Sequence, residues 1–252
     1  MRSQRIDDIM EYIYENKNVT LKELCEKFEM SINTIRRDLE EITVSQNDIV
    51  KTYGGVKVQN KKELVPFSKR GVSNPVEKER IAQKAAELVN SGDSIFLDSG
   101  TTTMYMIDYL KTLSHITIFT HSLEVMMRAI PYENLNIISL PGILNRETLS
   151  FTGTSTAETL SGYNIPKAFM ASTGISAENG ITNSSFAEYD IKCSIISRSK
   201  EIFLLADHSK FDAVSLMTYA SLERLDYLIT DKIPPRSIVN SIEKGGGKII
   251  KA

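Results

Sequence analysis

The sequence predicts an α/β protein in two parts: an N-terminal winged helix-turn-helix joined to a larger C-terminal α/β domain. Three observations predict it. The first 45 residues place apolar side chains at helical spacing in three short blocks, separated by Thr and Ser caps. Two short alternating runs then flank Gly54-Gly55. From residue 94 onward, brief apolar runs alternate with helical patterns, as in a mostly parallel sheet covered on both faces.

Length and composition agree with two domains. The chain has 252 residues and a formal net charge of -2, with 41% apolar and 25% charged residues, which is ordinary for a globular protein. No apolar run approaches the roughly 20 residues of a bilayer span, and "MRSQRIDDIM" lacks the apolar core of a signal peptide. A cytoplasmic protein with no membrane partner is expected. Cys25 and Cys193 form no CxxC pair, and His115, His121 and His208 show no HxH or HxxxH spacing. Hence no metal site, redox couple or cofactor is expected, and each cysteine reads as a small buried side chain.

In the first block, Ile6, Ile9, Met10, Ile13 and Tyr14 form one apolar helical stripe. Thr20 and Glu23 have the spacing of a capping box for a second helix, whose inner face is Leu21, Leu24 and Phe28. Glu29-Met30 makes a tight connection, and Ser31 caps a third helix with Ile35, Leu39 and Ile42 turned inward. That leaves Asn33, Arg36 and Arg37 outward, with Thr34 near the first turn. Two short helices joined tightly, the second showing these groups, have the layout of a helix-turn-helix. Its N-terminal residues would meet base edges in a major groove, with arginine bonding guanine or clamping phosphate. In "NDIVKTYGGVKV", a β-wing around Gly54-Gly55 would add Lys51, Tyr53 and Lys57. Residues 1–62 contain eleven Lys/Arg and eleven Asp/Glu, so distribution rather than bulk charge carries the DNA reading. Taken alone, the arginine pair also fits a solvated face with Asp38, Glu40 and Glu41 as ion partners.

Residues 59–73 are polar and basic with Pro66 and Gly71, and read as a linker. Asn74 and Pro75 then start a helix, as N-cap and first helical residue. Its apolar face is Ile81, Ala82, Ala85, Leu88 and Val89, and Ser91-Gly92 ends it. The domain boundaries are therefore 1–58, 59–73 and 74–252. Expected strands are 94–98, 116–120, 135–140, 167–173, 201–207, 227–230 and 248–252, with helices at 104–113, 123–130 and 188–198 between them.

Ligands of such sheets gather at the carboxyl ends of strands. The first strand is followed by Asp98-Ser99-Gly100-Thr101-Thr102-Thr103 and a helix start. Gly100 would permit close approach, the hydroxyls and helix N–H groups would cradle an anion, and Asp98 would accept from ligand hydroxyls. Thr120 and His121, Gly142, and Asp207 with Lys210 follow other strands. Lys210 supplies a cationic point for phosphate and Asp207 a second hydroxyl acceptor.

These residues resemble the DeoR family of bacterial transcriptional regulators. Its run S-x-x-T-I-R-R-D-L is present as Ser31, Thr34, Ile35, Arg36, Arg37, Asp38 and Leu39, and its wing ends in a Gly-Gly pair. A Pro-Phe-x-x-Arg arm is matched by Pro66, Phe67 and Arg70. D-x-G-T-T is matched by Asp98, Gly100, Thr101 and Thr102, G-[IL]-T by Gly180, Ile181 and Thr182, and D-x-S-K-F by Asp207, Ser209, Lys210 and Phe211. The chain departs from the family with His121 in place of the Asn of T-N-S and Pro141-Gly142 in place of Gly-Gly. The resemblance implies a sensor domain with a fold resembling ribose-5-phosphate isomerase, and a response to phosphorylated sugars. The expected function is a repressor of a carbohydrate-metabolism operon, binding double-stranded operator DNA as a homo-oligomer, at least a dimer. Effector binding would move the linker and change the spacing of two recognition helices.

The competing expectation is an aldose–ketose phosphate isomerase with a DNA-binding head, using Asp207, Glu188 and Lys210 for acid/base work. Fold likeness alone does not supply that chemistry, and no catalytic residue is assigned. A Ser122–His121–Asp98 hydrolase is rejected, because adjacent Ser and His cannot readily form the required hydrogen bond and no G-x-S-x-G elbow is present.

Overall fold

The computed structural model describes residues 2–16, 18–45, 49–58, 66, 67, 70, 73–160 and 162–252. The chain divides into two compact units between residues 61 and 62. The expected linker is described only at Pro66, Phe67, Arg70 and Ser73; the rest of that expectation lies outside the described residues.

The first unit runs α1 (Arg2–Asn16), β1 (Asn18–Thr20), α2 (Leu21–Phe28), α3 (Ile32–Ser45), β2 (Ile49–Thr52) and β3 (Gly55–Val58). The apolar stripes converge on one core of Ile9, Ile13, Val19, Leu24, Ile35, Leu39, Ile42, Ile49 and Val56. The capping box forms as expected. Thr20 N donates to Glu23 Oε2 at 2.7 Å, and Glu23 N donates to Thr20 Oγ1 at 3.2 Å. Ser31 Oγ accepts from Thr34 N at 3.3 Å at the start of α3. The structure adds β1, which pairs with β3 to give the order β1-β3-β2. The wing bend is Tyr53-Gly54 rather than Gly54-Gly55. Gly54 takes φ +91°, where a side chain is strained, while Gly55 lies in β3, where a Cβ would stand 2.2 Å from the Val19 carbonyl oxygen.

The second unit continues with α4 (Pro75–Ala86), β4 (Ser94–Leu97), a 3₁₀ turn at Thr103–Met106 running into α5 (Ile107–Leu110), β5 (Ile116–Thr120), α6 (Leu123–Ala129) and β6 (Leu135–Ser139). Then come β7 (Ile143–Asn145), β8 (Ser150–Thr152), α7 (Thr154–Leu160), β9 (Lys167–Ala171), β10 (Gly174–Ser176) and β11 (Gly180–Asn183). The chain ends with α8 (Tyr189–Arg198), β12 (Glu201–Leu205), β13 (Met217–Ala220), β14 (Tyr227–Thr230), α9 (Arg236–Lys244) and β15 (Lys248–Lys251). The seven expected strands form one parallel sheet in the order β15-β14-β12-β9-β4-β5-β6.

Both faces of that sheet are buried, which is why its strands read as continuous apolar runs. Ile95 and Leu97 enter one core with Ile81, Ile107 and Phe169, while Phe96 enters the other with Ile191, Ile202 and Ile238. Phe169, Phe203 and Tyr227 stack across β9, β12 and β14 with ring centroids 4.6 and 4.9 Å apart.

Several details differ from the expectation. Asn74 sits at φ +49° without a side-chain capping bond, because its amide donates to Asp207 Oδ1 at 2.9 Å instead. α4 ends before Ser91-Gly92. The hairpin β7-β8 and the antiparallel sheet β10-β11-β13 are additional. Among the described residues no helix is long and apolar enough to cross a membrane, and no cluster of three His, Cys, Asp or Glu stands ready for a metal.

Candidate functional site

In the first unit, α3 presents Ser31, Asn33, Arg36 and Arg37 to solvent, with Thr34 half-buried. Successive helical residues point about 100° apart, so the two arginines reach different flanks of α3. Arg36 lines a groove of about 660 Å³ on the wing side, with Thr20, Lys22, Tyr53 and Gly54. Arg37 lines a second groove of about 390 Å³ on the α1 side, with Arg5, Asn33 and Thr34. Asp38 is not the partner of either. It is buried and takes Arg5 in a two-point fork, Nε to Oδ2 at 2.8 Å and Nη2 to Oδ1 at 2.9 Å. Among the described residues no ion pair engages Arg36 or Arg37. Tyr53 is fully exposed at the wing tip. Lys51 stands 3.7 Å from Glu40 with both side chains solvated, a contact of little energy. The side chain of Lys57 lies outside the described residues.

In the second unit, the carboxyl ends of β4, β5, β9 and β12 bring together a row of charged side chains. Asp98 is wholly buried at the end of β4. Lys192 on α8 donates to its Oδ2, which also accepts from Ala171 N at 2.9 Å. Oδ1 takes Ser99 N at 2.8 Å and His121 Nε2 at 3.2 Å. Burial pushes this carboxyl upward, but Lys192 and His121 outweigh it and hold it well below the usual carboxylate range. Glu188 lies beside it. Its Oε1 accepts from Ser99 Oγ at 2.7 Å and Ser150 Oγ at 2.8 Å, and its Oε2 from Asn183 Nδ2 at 3.1 Å.

The arm completes the row. Phe67 is buried in the sheet core, and its N–H donates to the Glu147 carbonyl at 2.8 Å. Arg70 follows on the same arm, its guanidinium lowered by burial and opposed by the negative fields of Glu188 and Asp98. Its carbonyl accepts from Lys78 Nζ at 2.6 Å. Burial brings Lys78 down to about 8, against the pull of Asp207 and with a further push from Lys210 and Arg70. Burial raises the Asp207 carboxyl, but hydrogen bonds from Ser209 and Asn74, with the charge of Lys210, hold it below its ordinary value. Asp207 Oδ2 and Arg70 Nε are buried and find no hydrogen-bond partner among the described residues.

Comparison with known proteins settles the family. A family model described as "DeoR-like helix-turn-helix domain" matches residues 5–62, and one described as "DeoR C terminal sensor domain" matches residues 73–232. The chain belongs to the DeoR family. It is 41% identical over 232 residues to the HTH-type transcriptional regulator IolR of Bacillus subtilis (strain 168), covering 92% of each chain. It is 31% identical over 238 residues to the glycerol-3-phosphate regulon repressor of Escherichia coli (strain K12), covering 94% of each. A solved ribose 5-phosphate isomerase a from Methanocaldococcus jannaschii aligns with a TM-score of 0.41 at 22% identity, over 55% of each chain.

This DeoR-family sensor unit corrects parts of the expected effector site. Asp98 has no acceptor to offer a ligand, since Lys192, His121 and two backbone N–H groups occupy both oxygens. Gly100 is required by packing: a Cβ there would stand 2.3 Å from Ala171 Cβ. Thr103 is fully buried and donates to the Asp98 and Gly100 carbonyls, and Thr120 Oγ1 donates to the Leu97 carbonyl. A Cβ on Gly142 would meet the Thr152 backbone at 2.8 Å, so that glycine serves the close approach of β8. Ser99 is spent on Glu188, and His121 is wholly buried. The loop is followed by a four-residue 3₁₀ turn, not a long helix, which removes the expected helix dipole as an anion cradle.

Of the expected effector residues, Asp207 keeps a buried oxygen without a partner among the described residues, Lys210 is half-buried, and Thr101 and Thr102 are buried in the loop after β4. Arg70, Lys78, Glu188 and Lys192 join the site. The sequence signal for Lys78 was its place within an apolar helix face, between Pro75 and Ile81, where a buried lysine is unusual.

Proposed function

We propose that this DeoR-family chain is a DNA-binding repressor of a carbohydrate-metabolism operon whose DNA affinity is modulated by a phosphorylated sugar. The observation that carries the sensing half is Asp207. Its buried Oδ2 lacks a partner among the described residues, the charge of Lys210 acts on it, Lys78 feels its field, and Lys78 Nζ donates to the Arg70 carbonyl at 2.6 Å. An acceptor for a sugar hydroxyl beside several cations for a phosphate fits such a ligand. The row holds Lys78, Arg70, Lys192 and Lys210 against Asp98, Glu188 and Asp207, an excess of positive charge. The names of the relatives point the same way, one of them a glycerol-3-phosphate regulon repressor.

In this reading residues 1–58 bind DNA, 59–73 link and 74–252 sense. Ser31, Asn33, Thr34, Arg36, Arg37, Lys51, Tyr53 and Lys57 face the duplex, and the protein acts as a cytoplasmic homo-oligomer, at least a dimer. It is not an enzyme. Glu188, the candidate acid/base, is engaged at both oxygens by Ser99, Ser150 and Asn183, which favours a structural task over proton transfer. Incubation with ribose 5-phosphate and related sugars is expected to yield no turnover. Melting-temperature measurements against a panel of phosphosugars test the sensing half, and a panel without a single stabilising member would reject it.

A further inference from the structure

We infer that His121 carries a proton on both ring nitrogens, so that the sensor site holds a second buried cation beside Lys192. The inference rests on hydrogen-bond partners. His121 Nε2 faces Asp98 Oδ1 at 3.2 Å and Nδ1 faces the Phe151 carbonyl oxygen at 3.3 Å. An ionised carboxylate and a carbonyl both only accept, whereas a neutral imidazole has one donor and one lone pair. With a single proton, one contact sets a lone pair against an oxygen in a site closed to water, since the residue is 0% exposed. The ring cannot withdraw readily, because Phe151 N donates to the His121 carbonyl at 2.8 Å and fixes the two strands' separation. Phe96 packs beside the ring at 5.9 Å between centroids.

The charged neighbours agree. Asp98 receives His121 on Oδ1 and Lys192 from α8 on Oδ2, and Glu188 hydrogen-bonds Ser99 and Ser150, the residues following Asp98 and preceding Phe151. Arg70 on the arm senses both carboxylates. Two cations on Asp98 leave the site's net charge more positive than Lys192 alone would. This determinant therefore favours a ligand of higher negative charge. An asparagine amide offers two donors without charge, which makes His121→Asn the discriminating variant. The consequence for ligand binding rests on the effector-site reading above; the protonation state does not.

The test is nitrogen NMR of the full chain labelled at histidine, with His115→Gln and His208→Gln to assign the three rings. The expected result is a doubly protonated His121 ring at near-neutral pH. A neutral single-tautomer ring there overturns the inference and leaves the effector reading standing. In parallel, sulfate is used as the probe in melting experiments at one fixed near-neutral pH. Its stabilising shift should be larger in the natural protein than in His121→Asn; equal shifts overturn the inference. If the variant fails to fold, the NMR measurement on the natural protein still decides. A doubly protonated ring with no response to sulfate or phosphosugars counts instead against the effector site.

Discussion

Arg5 on α1 and Asp38 on α3 are joined by two parallel hydrogen bonds, 2.8 and 2.9 Å long, across 33 residues of sequence. This fork fixes the rotation of α3 against α1, and with it the direction in which Arg36 and Arg37 point. Asp38→Ala should lower the melting temperature of the head and weaken operator binding even though Asp38 is buried and meets no DNA. Circular dichroism melting and fluorescence anisotropy check both. Full operator affinity in that variant would show that the fork does not set the helix.

Arg36 and Arg37 lie in separate grooves, so their variants should differ. If one reads a base, its alanine variant loses roughly 1–3 kcal/mol on the operator and relaxes specificity there. If it clamps phosphate, affinity falls on all sequences and the salt slope drops by about 1. Titrations of operator and scrambled duplexes at several salt concentrations separate the two cases.

Asp98 ties acid stability to the sensor unit. Its folded carboxyl lies below the ordinary value, so the native state binds fewer protons than the unfolded chain once pH falls toward about 4. The stability it contributes is present above the unfolded value and is lost as pH drops below that. Asp98→Asn should remove this acid-sensitive step. At neutral pH it should also cost roughly 3–5 kcal/mol, because Lys192 remains buried without its anion. Urea denaturation at pH 3.5 and pH 7 measures both effects.

Lys78 gives an opposite limb. Held at about 8 in the folded chain, it is neutral there while the unfolded lysine is still charged, so stability should rise as pH climbs from about 8 toward its ordinary value near 10.4. Affinity for an anionic ligand should fall as pH passes through about 8, where the folded lysine loses its charge. Lys78→Met should flatten both curves, as read by melting with and without phosphate.

Gly100→Ala tests whether the Ser-Gly-Thr loop is shaped by packing. The added Cβ would meet Ala171 Cβ at 2.3 Å, and overpacking of this kind costs typically 1–3 kcal/mol. Adding Ala171→Gly should restore most of that loss. No rescue would point to a different cause, such as backbone freedom at Gly100.

Much of this was legible in the chain. The helical stripes, the Thr20–Glu23 box and the seven parallel strands follow from local periodicity, because each strand is buried on both faces. Strands β10, β11 and β13 were not legible, being three or four residues long and interrupted by Gly, Thr and Asn, and β1 likewise. The site was half legible. Asp207 and Lys210 stand in one short motif, but Lys192 reaches Asp98 across 94 residues and Glu188 reaches Ser99 across 89. Such pairs carry no local signal. Asp98 and Thr103 looked like ligand groups because buried structural polar residues and ligand-binding ones share a composition.

The most direct measurement is operator affinity of the full chain with and without each phosphosugar, compared with Asp207→Asn. Proposed here is a sugar that shifts the affinity of the natural protein, while the variant binds DNA equally well and ignores the sugar. Equal responses from both proteins, or none from the natural one, would contradict a sensor built around Asp207.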